Sequence, residues 1–322
     1  VCLENARGNH ERALEHLESG LKIFNTWKHQ KRLLTSEKDV QNDILEIMCR
    51  LDAQATSFWD SRKPTLMPEN YSEEPQYSAD RFTDLHAAKN AAQYYEIRIL
   101  YVLTAVSPKG SKFSPNFEED YPLRIKLLQA FNLGMVKWKK AFDGLCRAEN
   151  ANWKKSELQN SLVLCLHYEA VSLLVDLRTN SRVDDDSLPP SEHQRYQSLI
   201  DISRTLINYR TPKDGFDFSA DAGVISPLYF TAMTAPTEDL YQQAIELLRK
   251  VKRREGFWDA EKVALIAETV AQKRKAGERG DHLTGGVLKL AGLAGVEFRT
   301  ELFPWPADND GLARHFSDGL TV

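Results

Sequence analysis

No two of the four cysteines, Cys2, Cys49, Cys146 and Cys165, are close enough in sequence to wrap a metal ion or to belong to a dense disulfide framework; the nearest pair is 19 positions apart. A reducing compartment is therefore the default. An excess of positive charge is also missing. The 42 Lys and Arg face 46 Asp and Glu, a net charge of -4, which excludes a protein that coats nucleic acid through a uniformly basic surface. Long hydrophobic runs are absent too: the longest, residues 162–175, is interrupted by His167 and Glu169 and falls short of the roughly 20 residues of a membrane span, so no membrane partner is expected. With 16 Gly and 13 Pro, collagen-like and low-complexity classes are out. There is no phosphate loop, dinucleotide fingerprint, nucleophile elbow or histidine pair at metal spacing. The chain opens at Val1 inside a helical pattern and without a secretory signal, from which we expect residues to precede it.

What is present is apolar surface. Hydrophobic residues make up 42% and aromatics 10%, enough for a large core, and the length allows one large domain or two. Leu14, Leu17, Leu21 and Phe24 form one stripe, and Val40, Ile44, Ile47, Leu51, Ala55 and Phe58 form the next behind Ser36 as N-cap, which predicts an antiparallel hairpin. Phe82 to Val106 predict a third helix, and Leu123 to Leu145 a fourth with Pro122 in its first turn. Ser156 and Gln159 have capping-box spacing ahead of a wide apolar face ending at Leu177, so this helix is expected to be the most buried. Further helices are expected at 196–207, from Thr237 to the basic run ending at Arg254, and from Trp258 to Gln272, with a short apolar segment at 225–233. The loops at 60–80 and 107–121 are long enough to cover a surface or serve a site. Nothing has a period of two. The expected fold is all-α, a multi-helix bundle of antiparallel helical hairpins over 1–276, followed by a weakly determined tail at 277–322.

Few residues combine into a plausible chemistry. Cys165 and His167 are two apart, so on a helix they point about 200° away from each other and cannot hydrogen-bond directly. They read as a buried thiol and a satisfied imidazole, and no catalytic residue is expected. Glu11, Glu15, Glu18 and His16 share the polar face of the first helix and read as solvated, with no metal and no cofactor in this chain. Within Arg253 to Asp259, Gly256 suits a left-handed turn after a helix, Asp259 a cap for the next helix and Trp258 a large apolar anchor at the corner. The competing use of Arg254 and its neighbours is an acidic partner or nuclear import. Tyr95, Trp138, His167, Tyr168 and Tyr229 put aromatic bodies and polar tips on or beside the apolar stripes. That composition suits a pocket for a small molecule, with His167 as a hydrogen-bond partner rather than a base; plain core is the competing reading.

The segment Phe216 to Glu268, FDFSADAGVISPLYFTAMTAPTEDLYQQAIELLRKVKRREGFWDAEKVALIAE, resembles the C-terminal regulatory region of fungal zinc-cluster transcription factors. Gly223 and Pro227 precede the Leu228-Tyr229 pair, Ala244 to Leu248 form the AIELL helix, and Arg253 to Asp259 form the RREG-aromatic-WD turn. Ala13 to Ile23, Leu51 to Ala55 and Trp138 to Phe142 fall in the family's order before them, so the resemblance spans roughly residues 9 to 272. It implies a nuclear, effector-sensing and dimerising regulatory region. Its expected partners are a small-molecule effector and a second copy of the chain, and it would reach DNA only through an upstream module. That family module holds two zinc ions with six closely spaced cysteines, which these 322 residues do not contain. The alternatives are an enzyme acting on a small apolar metabolite, which would be cytoplasmic, and a docking scaffold with no pocket.

Overall fold

Apolar residues recurring every three or four positions fold as helices. A computed structural model describes residues 1–29, 38–58, 77–104, 117–179, 190–209 and 217–276. In chain order its elements are α1 (Cys2–Arg7), α2 (His10–His29), α3 (Lys38–Phe58), α4 (Leu85–Thr104), α5 (Phe117–Glu149), α6 (Lys155–Thr179) and α7 (Pro190–Tyr209). They continue with β1 (Asp217–Ser219), α8 (Ile225–Thr234), α9 (Glu238–Lys250), β2 (Arg253–Glu255), β3 (Trp258–Asp259) and α10 (Ala260–Lys275). The fold is all-α in class, as the periodicity predicts. The tail at 277–322 and the residues 60–76 and 107–116 of the two long loops lie outside the described residues.

Helices adjacent in sequence pack as hairpins: α2 on α3, α4 on α5, α5 on α6, α6 on α7, and α8 on α9. Of the expected stripe on α2, Leu17 and Leu21 are fully buried and Leu14 and Phe24 half-buried, with Ala13 buried beside them. By length and composition α6 would pass for a membrane-crossing helix, and in this fold α4, α5, α7 and α8 pack around it. It is not the most buried helix, since much of one face is only half-buried. That place belongs to α8, the short apolar segment, in which nine of ten residues are buried. Several helix starts also differ from the sequence pattern. Helix α5 begins at Phe117, five residues ahead of Pro122. Helix α6 begins at Lys155, with the Glu157 carboxylate accepting from the Lys154 backbone N–H at 2.7 Å, so Ser156 is not its cap.

The described residues also form a small three-stranded sheet. Strand β1 runs parallel to β2, and β2 antiparallel to β3, in the order β1-β2-β3. Strands of two or three residues are too short to show alternation, which is why no strand was visible in the sequence. Helix α9 therefore ends at Lys250, and Arg253 and Arg254 belong to β2 rather than to a helix end. Gly256 does adopt a left-handed φ of 57°, but in the turn between β2 and β3, where an added Cβ would run into the Gln54 amide. Its N–H donates to the Ser219 carbonyl at 2.7 Å.

Alternation along β2 sends its charges to different helices. Glu255, 1% exposed, accepts from the backbone N–H groups of Gly223, Val224 and Ile225 at 2.9, 3.2 and 2.9 Å, so a carboxylate from a distant strand closes the N-terminus of α8. The Arg253 guanidinium completes the arrangement, with Nε donating to Glu255 at 2.7 Å. Gly223 must be glycine here, because a Cβ would lie 2.5 Å from the Glu255 carboxylate. Asp259 caps its own helix, accepting from Glu261 and Lys262 N–H groups at 3.2 and 3.3 Å. Arg254 joins Asp259 (2.7 Å) to the Ala6 carbonyl (2.8 Å), which docks α1 on the sheet.

His10 stands at this docking point, 5% exposed, with Nδ1 3.4 Å from Asn5 Oδ1. Burial, helped by the charge of Lys262, lowers its pKa from the ordinary 6.5 to about 4. Between those values the unfolded chain binds the proton and the folded chain does not, so stability is present above pH 6.5 and is lost as pH falls toward 4. Unfolding free energies from denaturant titrations should therefore fall more steeply for the wild type than for His10→Gln over that window, by up to ~1.4 kcal/mol per pH unit. Equal slopes would mean that His10 is solvated.

Candidate functional site

A cavity of about 200 Å³ lies between α3, α4, α6, the start of α8 and Trp258. Two helical stripes make its long walls. On α4, Lys89, Gln93, Glu96 and Leu100 follow at steps of four, three and four, and on α6 Leu164, His167, Val171 and Leu174 follow at three, four and three. Opposite stand Ala222, Pro227, Phe230 and Trp258. These are in place because Glu255 fixes the entry of α8 and the hairpin turn carries Trp258 beneath it. Helix α3 closes the cavity with Arg50, Ala53 and Gln54, and Gln54 Nε2 donates to the Ala220 carbonyl at 3.1 Å.

The lining is mostly apolar and its polar groups gather at two levels. At the rim, Arg50 Nη1 donates to Asp221 Oδ1 at 2.6 Å and Lys89 Nζ lies 3.5 Å from Oδ2 of the same carboxylate. The Asp221 side chain is 55% exposed, so this cluster sits at the water boundary. Deeper in, His167 Nε2 is 3.0 Å from the Gly223 carbonyl and its Nδ1 is 3.8 Å from Glu96 Oε1, with both side chains less than a quarter exposed. A carbonyl only accepts, so Nε2 carries the proton and Nδ1 of the neutral ring is an acceptor. Gly223 thus joins two systems, giving its carbonyl to His167 and its N–H to Glu255.

Of the five residues expected to line a pocket, His167 is at the cavity. Of the other four, Tyr95, Trp138 and Tyr229 are buried in the core and Tyr168 is half-buried against it. Trp138 is fully buried, donates from Nε1 to the Ala88 carbonyl at 2.8 Å and stacks on Phe142 with centroids 4.8 Å apart. Tyr168 stacks on Trp138 at 5.8 Å, and burial pushes its phenol pKa up. Tyr95, 3% exposed, has its hydroxyl 3.4 Å from that of Tyr77. Tyr229, 1% exposed, packs its ring on Trp258 with centroids 5.5 Å apart. The physical reason is rotation. Tyr95 precedes Glu96 and Tyr168 follows His167, and one step around a helix is 100°, enough to turn a side chain from cavity to core.

The residues that the sequence reading missed are Glu96, Gln93, Lys89, Arg50, Gln54 and Asp221. One signal was available: Lys89, Gln93 and Glu96 are polar residues at stripe spacing beside Ala92 and Ile97, an arrangement that a fully buried face does not carry. Arg254, Gly256, Trp258 and Asp259 are structural, as described above. Burial pushes the Cys165 thiol up and Cys146 up to about 11, so both are thiols rather than thiolates at neutral pH. Glu11, Glu15, Glu18 and His16 are exposed on α2, and among the described residues no three His, Cys, Asp or Glu side chains converge on one point.

Comparison with family models, with curated proteins and with solved structures gave no match to this chain.

Trp258 belongs to both the cavity floor and the core, and is 2% exposed. Trp258→Ala should lower the unfolding free energy by about 3 to 5 kcal/mol in a denaturant titration. An unchanged midpoint would place the indole in solvent.

Proposed function

We propose that this chain is an effector-sensing regulatory domain of the fungal zinc-cluster transcription regulator class, in which a small molecule held in the cavity biases the packing of α8 and the β2–β3 turn. The observation that carries the reading is the identity of the cavity wall. Pro227 and Trp258, and Gly223 behind His167, belong to the segment that carries the family resemblance, and the cavity is built where that segment meets α4 and α6. A ligand there touches both the Glu255-capped helix and the long helices, so any difference in affinity between two packings becomes a shift between them. On this reading the domain acts in the nucleus, pairs with a second copy, and reaches DNA through a zinc module outside these residues. Its own net charge of -4 gives it no part in duplex binding.

One observation favours a second reading. The His167 and Glu96 pair is the kind of imidazole–carboxylate arrangement that can move a proton, so an enzyme acting on a small apolar metabolite is the alternative. Among the described residues that line the cavity there is no cysteine.

A single experiment separates the readings. Ala170 of α6 also lines the cavity, and wild type and Ala170→Trp, which would fill it, are incubated with a fungal metabolite extract and examined by native mass spectrometry. The regulatory reading expects a small molecule retained by the wild type, released unchanged on denaturation and lost in the variant. Retention equal in both proteins, or none in either, contradicts it. A molecule released with altered mass, and unaltered from His167→Gln, puts the enzyme first.

A further inference from the structure

We infer that the cavity selects a small apolar molecule bearing a protonated primary amine, seated between Glu96 and His167; the inference rests on the cavity being a ligand site. Its size sets the scale. An engineered apolar cavity of about 150 Å³ holds benzene, so about 200 Å³ suits a ring with a short side chain, roughly nine or ten non-hydrogen atoms.

The polar groups choose the chemistry. With Nε2–H of His167 donating to the Gly223 carbonyl, Nδ1 faces Glu96 Oε1 3.8 Å away, and it presents a lone pair there whenever the ring is neutral. Two acceptors face each other across a gap wide enough for no hydrogen bond of their own. An ammonium group has three donors and can give one to each, whereas a hydroxyl has a single hydrogen and satisfies only one. The carboxylate adds an attraction for the cation in a half-buried setting. Among the described residues Glu96 has His167 alone within ion-pairing distance.

The cations of the cavity do not reverse this preference. Lys89 and Arg50 share Asp221 at the exposed rim. Lys89 lies seven residues before Glu96 on α4, about 10 Å along the helix axis, with Gln93 between them. A ligand carboxylate at the rim would have to compete with Asp221, while an ammonium at Glu96 meets, among the described residues, only the His167 imidazole within ion-pairing distance. The aromatic or aliphatic body of the ligand then lies along Val171 and Phe230.

The test compares three probes of similar size by isothermal titration with the wild-type chain: 2-phenylethylamine, propylbenzene and 3-phenylpropanoate. The amine should bind at least about tenfold more tightly than propylbenzene, the size of effect expected of a charge-assisted hydrogen bond, and the carboxylate should bind more weakly than either. Glu96→Gln should erase the advantage of the amine over propylbenzene, with circular dichroism confirming that the variant folds. Ala170→Trp should abolish binding of both. Equal affinity for amine and propylbenzene, or preference for the carboxylate, overturns the amine selection and leaves the cavity a ligand site. No binding of any probe overturns the selection together with the sensing reading. The wild-type comparison is decisive by itself should Glu96→Gln fail to fold.

Discussion

The Glu255 carboxylate closes the N-terminus of α8, and the arrangement of the C-terminal half follows from that contact. Three backbone N–H groups that a helix start leaves without partners converge on it, and Arg253 neutralises its charge within a buried environment. A carboxylate at the positive end of a helix dipole is favourable, and removing it would strand three donors and a cation together. Because Glu255 sits in β2 while α8 follows β1, the contact also fixes how the sheet meets the helices. Arg254 and Asp259, pointing the other way, extend the same turn to α1 and α10. A segment of seven residues thereby orients three helices.

The cavity is the consequence on the other side of α8. Glu255 positions Gly223, and the Gly223 carbonyl positions His167, so the polar interior of the cavity and the buried cap share one residue. That link gives a route by which a molecule beside His167 could be felt at the sheet without a large movement. It requires only that the Gly223 backbone have two arrangements of differing affinity for the ligand. Part of the half-buried face of α6, namely Val163, Leu164, His167 and Val171, lines this cavity.

Helices were legible in the sequence wherever a stripe was sustained, as at Leu14 to Leu21, and the cap at Asp259 was legible from its type and place. The sheet was not, because two or three residues carry no period and its partners are 36 positions apart at Asp217 and Arg253. Nor was the role of Glu255: it lies in sequence among arginines, and only pairing of β1 with β2 brings it to α8. Of the five residues expected at a pocket, only His167 lines the cavity. Aromatic residues draw attention in a sequence, yet Tyr95, Trp138, Tyr168 and Tyr229 are large apolar bodies and the core takes them first. The polar residues of α4 that do reach the cavity stand one step around the helix, and a 100° error in facing is what a pattern of apolar positions leaves unresolved.

The central claim is that Glu255 holds α8, and amide hydrogen exchange across α8 in the wild type and in Glu255→Gln measures it directly. The substitution keeps the shape and removes the charge. The account expects protection at Gly223, Val224 and Ile225 and through α8 to fall by roughly 100-fold or more, in line with the loss of one partner from a buried pair. Protection of α8 unchanged in Glu255→Gln would contradict the account and leave the helix held by its apolar packing alone.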